Sequence, residues 1–272
     1  MACAYALNYP FLKIAFGMEP PMVVLFFRIF FALISSIPYI ILNLKRFPSG
    51  LRDNSIVFAV SMLNIVGFMG LWFVGESMVS AALSSILVYT YPIFNVLLSM
   101  AFTGERPGRG AKAGLIVGFA GVILVSIANV QIAGYAGIVL LLVSAISWAG
   151  GTVLFKKMTR HMEVGSVNVL QYAYSMPILL IFALFTGYSG FTHLNLEFIG
   201  IGFYLGLFGT YLPYLVYLLL FRNYSISRIS PYFFIVPALS VIFSMIILGE
   251  TIGLTTIAGF TVISIGIFLS NR

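Results

Sequence analysis

"YPIFNVLLSMAFTGE" runs from Tyr91 to Glu105 and "VPALSVIFSMIILGE" from Val236 to Glu250, and the two share Pro, Val, Ser, Met, Gly and Glu in one register, 145 residues apart. Each copy sets a proline inside an apolar run and closes on Gly-Glu. At the same offset Gly114 meets Gly259, Gly121 meets Gly266, and Ser85-Pro92-Ser99 meets Ser230-Pro237-Ser244. That seven-residue spacing keeps all three on one helix stripe. With a shift of two residues the early segments align as well: Tyr5-Ala6 with Trp148-Ala149, Lys13 with Lys156, and Arg28 with Gln171. The chain therefore reads as two halves, 1–128 and 134–272.

Composition identifies the medium in which those halves fold. Of 272 residues, 61% are hydrophobic and 8% charged. A water-soluble domain needs far more charge on its surface. Apolar runs of about twenty residues recur throughout, each long enough to cross about 30 Å of hydrocarbon as a helix. Ten spans are expected: 2–17, 21–43, 55–75, 79–102, 110–128, 134–154, 165–187, 198–220, 229–248 and 252–270. The first is short, but without a basic leader or an A-x-A cleavage site it reads as a retained helix, not a signal peptide. The fold class is all-α integral membrane protein, ten transmembrane helices in two inverted five-helix repeats.

Charge sets the orientation. Lys45, Arg46 and Arg52 fall between helices 2 and 3; Arg106, Arg109 and Lys112 between 4 and 5; Lys156, Lys157 and Arg160 after 6; Arg222 and Arg228 between 8 and 9; Arg272 at the end. Twelve of the fourteen basic residues thus lie on one side, which the positive-inside rule makes cytoplasmic, with both termini, in a plasma membrane. Glu19, Glu76, Glu197 and Glu250 occupy the opposite side. Scattered singly over short loops, the net charge of +7 is topological and predicts no nucleic-acid partner. Five helices per half is an odd number, so the second half enters inverted. Such halves can close alternately on a site between them.

Several chemistries are excluded. One cysteine, Cys3, allows no disulfide framework, and with loop histidines at 161 and 193 and a lone aspartate, Asp53, no metal centre or catalytic triad can be assembled in the membrane. No phosphate-binding G-x-x-x-x-G-K-[ST] loop is present. No catalytic residue, metal or cofactor is expected; the partners are a small-molecule substrate and the lipid bilayer.

The paired P-x12-E phrases, "ALNYPFLKIA" near the start, the arginine within "LFFRIFF" and ten helices in two fives together resemble the EamA type of the drug/metabolite transporter superfamily, over essentially the whole chain. The resemblance implies helices 1–4 and 6–9 around a central cavity, helices 5 and 10 outside them, and transport of amino acids or other small metabolites, often outward. Tyr5-Ala6 stands where the family usually carries Trp-Gly.

Candidate substrate contacts are the polar and aromatic residues that helical spacing gathers on single faces. Asn64, Phe68 and Trp72 lie at i, i+4 and i+8 on helix 3; Tyr91 and Asn95 on helix 4; Gln171 on helix 7; Tyr204 and Tyr211 on helix 8; Asn8 and Tyr9 on helix 1; Trp148 on helix 6. Rings with a few hydrogen-bonding groups suit an amphipathic organic substrate, although such a stripe also serves packing or an interfacial belt. Arg28, two turns inside helix 2, either grips a substrate carboxylate or forms a structural lock, snorkelling or pairing with Glu19 or Glu76. Lys13 is expected to snorkel. Pro92 and Pro237 each delete a backbone donor and mark a hinge or a static kink. Glu105 and Glu250 are expected to stabilise the N-terminus of the helix that comes after each. Gly114, Gly118 and Gly121, with Gly202 and Gly206, make small-residue faces, serving packing within a monomer or, through helix 5 or 10, a homodimer. An amino acid is the leading substrate class; a quaternary amine in an aromatic cage is the alternative.

Overall fold

In a membrane every backbone N–H and C=O must be satisfied within the protein, which leaves long helices as the favoured solution for runs as apolar as these. The computed structural model describes residues 1–103, 109–186, 195–224, 226, 233 and 235–270, and contains helices and turns with no strand among them. Ten rods account for it. α1 is Ala2–Phe16. α2 is Pro21–Ser35, continued at a 42° bend by Ile37–Arg46. Pro38 explains the bend, since it has no N–H for the Ile34 carbonyl and its ring crowds that oxygen. α3 spans Leu51–Ser77 and α4 spans Ala81–Phe102. α7 is Val164–Thr186, α8 Leu196–Asn223, α9 Ile235–Leu248 and α10 Leu254–Ser270.

Helices 5 and 6, expected as two spans with a loop near residue 130, are helical without interruption from Arg109 to Met158. Between Arg109 and Gly134 no proline interrupts the run, so nothing in that stretch removes a backbone donor. Its contacts nevertheless require two legs. Gly118 abuts Ile93, while the Trp148 ring lies 4.0 Å from that of Tyr91, two residues from Ile93. A straight helix would hold positions 118 and 148 about 45 Å apart. We call 109–124 α5 and Tyr135–Met158 α6.

α6 runs antiparallel to α3, with Gly137 at Val79, Leu141 at Gly75, Ser147 at Gly67 and Gly151 at Asn64. α5 runs antiparallel to α10: a Cβ on Gly121 would fall 2.8 Å from the Gly259 carbonyl oxygen, and one on Gly266 would meet the Gly118 and Gly114 backbones. The glycine faces of α5 and α10 thus pack on each other, and those of Gly202 and Gly206 on Phe31 and the α2 backbone. α1 packs on α9, α2 on α7 and α8, and α3 on α7.

The bundle is inside-out relative to a soluble protein. Ile41, Leu42, Ile116, Phe182, Phe185, Ile246 and Phe268 point outward, while Asn8, Arg28, Asn64, Glu76, Asn95, Asn168, Gln171 and Thr210 are buried. That distribution is stable where the solvent is hydrocarbon, and all of these polar residues except Asn95 make at least one side-chain hydrogen bond inside.

Three of the rods leave the α pattern near the centre, two by a π segment and one by a break. α3 carries a π segment at Met62–Met69 and α8 one at Leu207–Tyr211, so the two begin 145 residues apart. α4 breaks at Tyr89-Thr90, between Ala81–Val88 and Tyr91–Thr103. Pro92, which cannot donate to Val88, is the second residue of the new segment, and Pro237 is the third residue of α9.

Candidate functional site

Pro213 decides the local chemistry of α8. It offers no N–H to the carbonyl one turn earlier, that of Gly209, and the chain absorbs the defect as the π segment. The hydroxyl of Thr210 donates to Leu205 O at 2.8 Å. The Gly209 carbonyl accepts Asn8 Nδ2 at 3.1 Å and Arg28 Nη2 at 2.9 Å, and Arg28 Nε donates to Thr210 Oγ1 at 2.6 Å. Gly206 makes this reach possible, because a Cβ there would lie 2.9 Å from Arg28 O and 2.8 Å from Ala32 N. Arg28 therefore neither snorkels nor pairs with Glu19 or Glu76. It is buried against α8, its guanidinium carbon 5.1 Å from the centre of the Trp72 ring and 5.5 Å from that of Phe73.

Arg28, Asn8 and Gly209 line a central cavity with Tyr5, Tyr9, Phe68, Met69, Trp72, Tyr89, Trp148 and Tyr214. Its walls are stacked rings: Phe68 lies 5.5 Å from Trp72 and 4.5 Å from Trp148, within 9° of parallel to each. Trp148 stacks in turn on Tyr217, which stacks on Tyr214. The cavity measures ≈ 20 Å³, room for about one water. Five lining residues each hold a buried polar atom without a protein partner: the Tyr5 hydroxyl, Asn8 Oδ1, Arg28 Nη1, the Trp148 indole nitrogen and the Tyr214 hydroxyl. Buried polar atoms in proteins are nearly always bonded, so five around one cavity leave its wall with unused hydrogen-bonding capacity.

Both ends of the bundle are tied. At one, Lys13 Nζ donates to Glu76 O at 2.5 Å, and the Glu250 carboxylate accepts the N–H groups of Ala81 at 2.8 Å and Ala82 at 3.0 Å. At the other, Lys156 Nζ donates to Tyr224 O at 2.7 Å, Lys157 Nζ to Phe102 O at 2.9 Å, and Arg222 to the carbonyls of Thr159, Arg160 and Met162. Lys13 thus caps a helix C-terminus instead of snorkelling.

Sequence comparison gives this architecture a family. The profile of the EamA-like transporter family matches residues 1–127 and 135–272. The chain belongs to the EamA-like transporter family. It is 30% identical over 270 residues to the uncharacterized transporter YvbV of Bacillus subtilis (strain 168), covering 98% of this chain and 88% of that one. It is 25% identical over 200 residues to a "Probable amino-acid metabolite efflux pump" of Salmonella typhimurium, 70% of this chain and 67% of that one. A solved structure titled "Crystal structure of protein" superposes with a TM-score of 0.71 at 14% identity, covering 99% of this chain and 95% of that one, and shares the fold. The protein is a multi-pass membrane transporter.

Within this EamA-like chain, Asn8, Tyr9, Arg28, Phe68, Trp72 and Trp148 reach the cavity. Asn64 and Gln171 lie behind its wall, bonded to each other at 3.0 Å (Nδ2 to Oε1). Tyr91 stacks behind Trp148, and Asn95 is buried away from the cavity with neither amide atom bonded. Tyr204 packs on Phe11 and Phe208, and Tyr211 contributes its carbonyl to Asn168 Nδ2. On α3 and α8 the reason is shared: a π turn inserts a residue and rotates the remainder of the helix by about 100°. Residues at helical spacing across 62–69 or 207–211 therefore leave the common face that their numbers suggest. Pro92 and Pro237 do not touch the cavity, but the break preceding Pro92 delivers Tyr89 to it.

Glu250 accepts the first backbone N–H groups of α4, not those of α10, the next helix in the chain. Glu105 lies outside the described residues. Sequence reading passed over Tyr5, Met69, Tyr89, Gly209 and Tyr214. The spacing Gly209-x3-Pro213 was a usable signal, since it identifies an orphaned carbonyl in advance.

Proposed function

We propose that this protein is a secondary transporter of a small metabolite, an amino acid in the first instance, working by alternating access. On this reading the two halves are inverted copies, 1–128 and 134–272, set in the plasma membrane with both termini cytoplasmic. The observation that carries the substrate class is Arg28. Two of its nitrogens hold the α8 carbonyl and hydroxyl, and the third, Nη1, is left without a partner in a cavity also lined by Asn8 and by Tyr5 and Tyr214, whose Oδ1 and hydroxyls are likewise unpartnered. A guanidinium suits a carboxylate, the amide oxygen and hydroxyls suit an ammonium, and the stacked rings suit an apolar side chain. The same buried cation disfavours a quaternary amine. The closed cavity must widen to admit either, and the ties at the two ends are the contacts that opening would break in turn.

The test is counterflow in proteoliposomes loaded with unlabelled amino acids and offered tracer phenylalanine, threonine or choline. Labelled amino acid is expected to accumulate, and Arg28→Lys, which retains charge but loses the planar fork, is expected to weaken it at least about tenfold, the scale of one lost charge-assisted hydrogen bond. Accumulation of choline alone, or an Arg28→Lys protein with unchanged uptake of acids, would reject the assignment.

A further inference from the structure

Beside the cavity, but not lining it, stands a carboxyl group that substrate binding does not use. Glu76, the penultimate residue of α3, is fully buried. Its Oε2 accepts the Trp72 indole N–H and, at 3.0 Å, the Ser84 hydroxyl; its Oε1 has no partner. The groups facing it are few. Lys13 and Tyr9 come from α1, Arg28 from α2, Ser84 from α4, and Glu250 acts with Glu76 on Lys13; the α6 residues beside neighbouring Gly75 are Leu141 and Gly137. Lys13 directs its Nζ hydrogen bond to the Glu76 backbone carbonyl, and among the described residues no cation stands within ion-pair distance of the carboxyl. An ionised carboxylate buried without an ion pair is the costly form, so closure of this end favours a proton on Glu76.

Resting on the transporter reading, we infer that Glu76 is the proton-binding site that couples transport: it is protonated while this end is closed and ionised when the end opens to water. The link to the cavity is a single side chain. Trp72 donates to Glu76 with its indole N–H, lines the cavity with its ring, and lies under the Arg28 guanidinium. Ionisation strengthens the acceptor for that N–H and draws Lys13 toward the carboxylate, away from the carbonyl that ties α1 to α3. The same proton therefore controls the tie and the wall against which a substrate would rest. Because proton occupancy and closure are linked, a pH difference across the membrane biases the opening of this end and drives substrate exchange.

The chain has two tryptophans, Trp72 and Trp148, so a Trp148→Phe protein reports from Trp72 alone. Its emission, measured in detergent from about pH 5 to about pH 9, where buried glutamates titrate, is expected to show one transition. Glu76→Gln in that background keeps an acceptor for the indole and is expected to abolish it. Should Trp148→Phe fail to fold, an infrared titration of the otherwise native chain replaces it: a protonated-carboxyl band lost at high pH and missing in Glu76→Gln. In proteoliposomes, a pH gradient is expected to speed tracer phenylalanine uptake several-fold for the native protein and not for Glu76→Gln, while Glu76→Gln retains counterflow. A titration that survives Glu76→Gln, or its absence from the native carboxyl, overturns the site; so does gradient-driven uptake that survives the substitution. If native protein moves no phenylalanine, the substrate assignment fails alone, and the optical titration still decides the proton site.

Discussion

The two π segments make the same kind of joint and use it differently. At Leu207–Tyr211 the glycine is on α8 and the asparagine on α1: Asn8 Oδ1 sits where a Gly209 Cβ would be, 2.2 Å from it. At Met62–Met69 the residues are exchanged: Asn64 is on α3 and its Oδ1 lies 2.0 Å from where a Gly151 Cβ would be. The residue from α2 that reaches the first joint is Arg28, and the residue from α7 that reaches the second is Gln171. One joint is charged and faces the cavity; the other is neutral and sealed behind the wall. Similar scaffolding at both places, with chemistry at only one, separates what holds the bundle from what would recognise a ligand.

The largest expected effect comes from removing the charged member. Arg28→Ala leaves Gly209 O and Thr210 short of donors in a dry interior and is expected to cost on the order of 3 kcal/mol of stability along with transport. Gln171→Ala, its counterpart, is expected to cost about 1 kcal/mol and to leave transport near native, because one neutral bond to Asn64 is lost. Denaturation in mixed micelles, paired with counterflow, reads both; equal losses at the two sites would erase the distinction.

Next comes steric fit. Gly151→Ala and Gly209→Ala are each expected to destabilise by about 1–3 kcal/mol, since the added methyl collides with a fixed amide oxygen. Removing the amide as well, in Asn64→Ala/Gly151→Ala, is expected to restore most of the loss. In Asn8→Ala/Gly209→Ala stability should recover in part, but not transport, since Asn8 lines the cavity. Thermal melts of the four proteins test the pattern.

The smallest effect is expected at the end of the bundle. Glu250→Gln removes the charge from the cap on α4 and is expected to cost about 1 kcal/mol. It should also raise the reactivity of a cysteine placed at Tyr89 in a Cys3→Ser background toward a membrane-impermeant thiol reagent. Unchanged labelling would make Glu250 a simple helix cap with no part in closing this end.

Much of this was legible in the chain. Length and apolarity of the runs dictate helices, because hydrocarbon offers the backbone no hydrogen bonds. Arg28 and Gln171 each bond a residue of a π segment, and Lys13 and Lys156 each donate to a carbonyl at a helix C-terminus. Glu250 was legible as a cap, but its helix was not, because the contact joins residues 168 and 169 positions apart and no periodicity spans that gap. Tyr204 and Tyr211 were misplaced because helical arithmetic assumes an unbroken 3.6-residue turn, which the π segment ahead of Pro213 violates.

The sequence by itself determined the solvent, the family and most of the helical runs, because those arise from hydropathy and from local backbone chemistry. Only the tertiary structure decided which rings wall the cavity, that Arg28 turns inward with one nitrogen unpartnered, and that Glu76 is buried without an ion pair. Those depend on the rotation of whole helix faces by single π turns and on close approaches at Gly206 and Gly151, where interhelical distance, not residue identity, sets the neighbour.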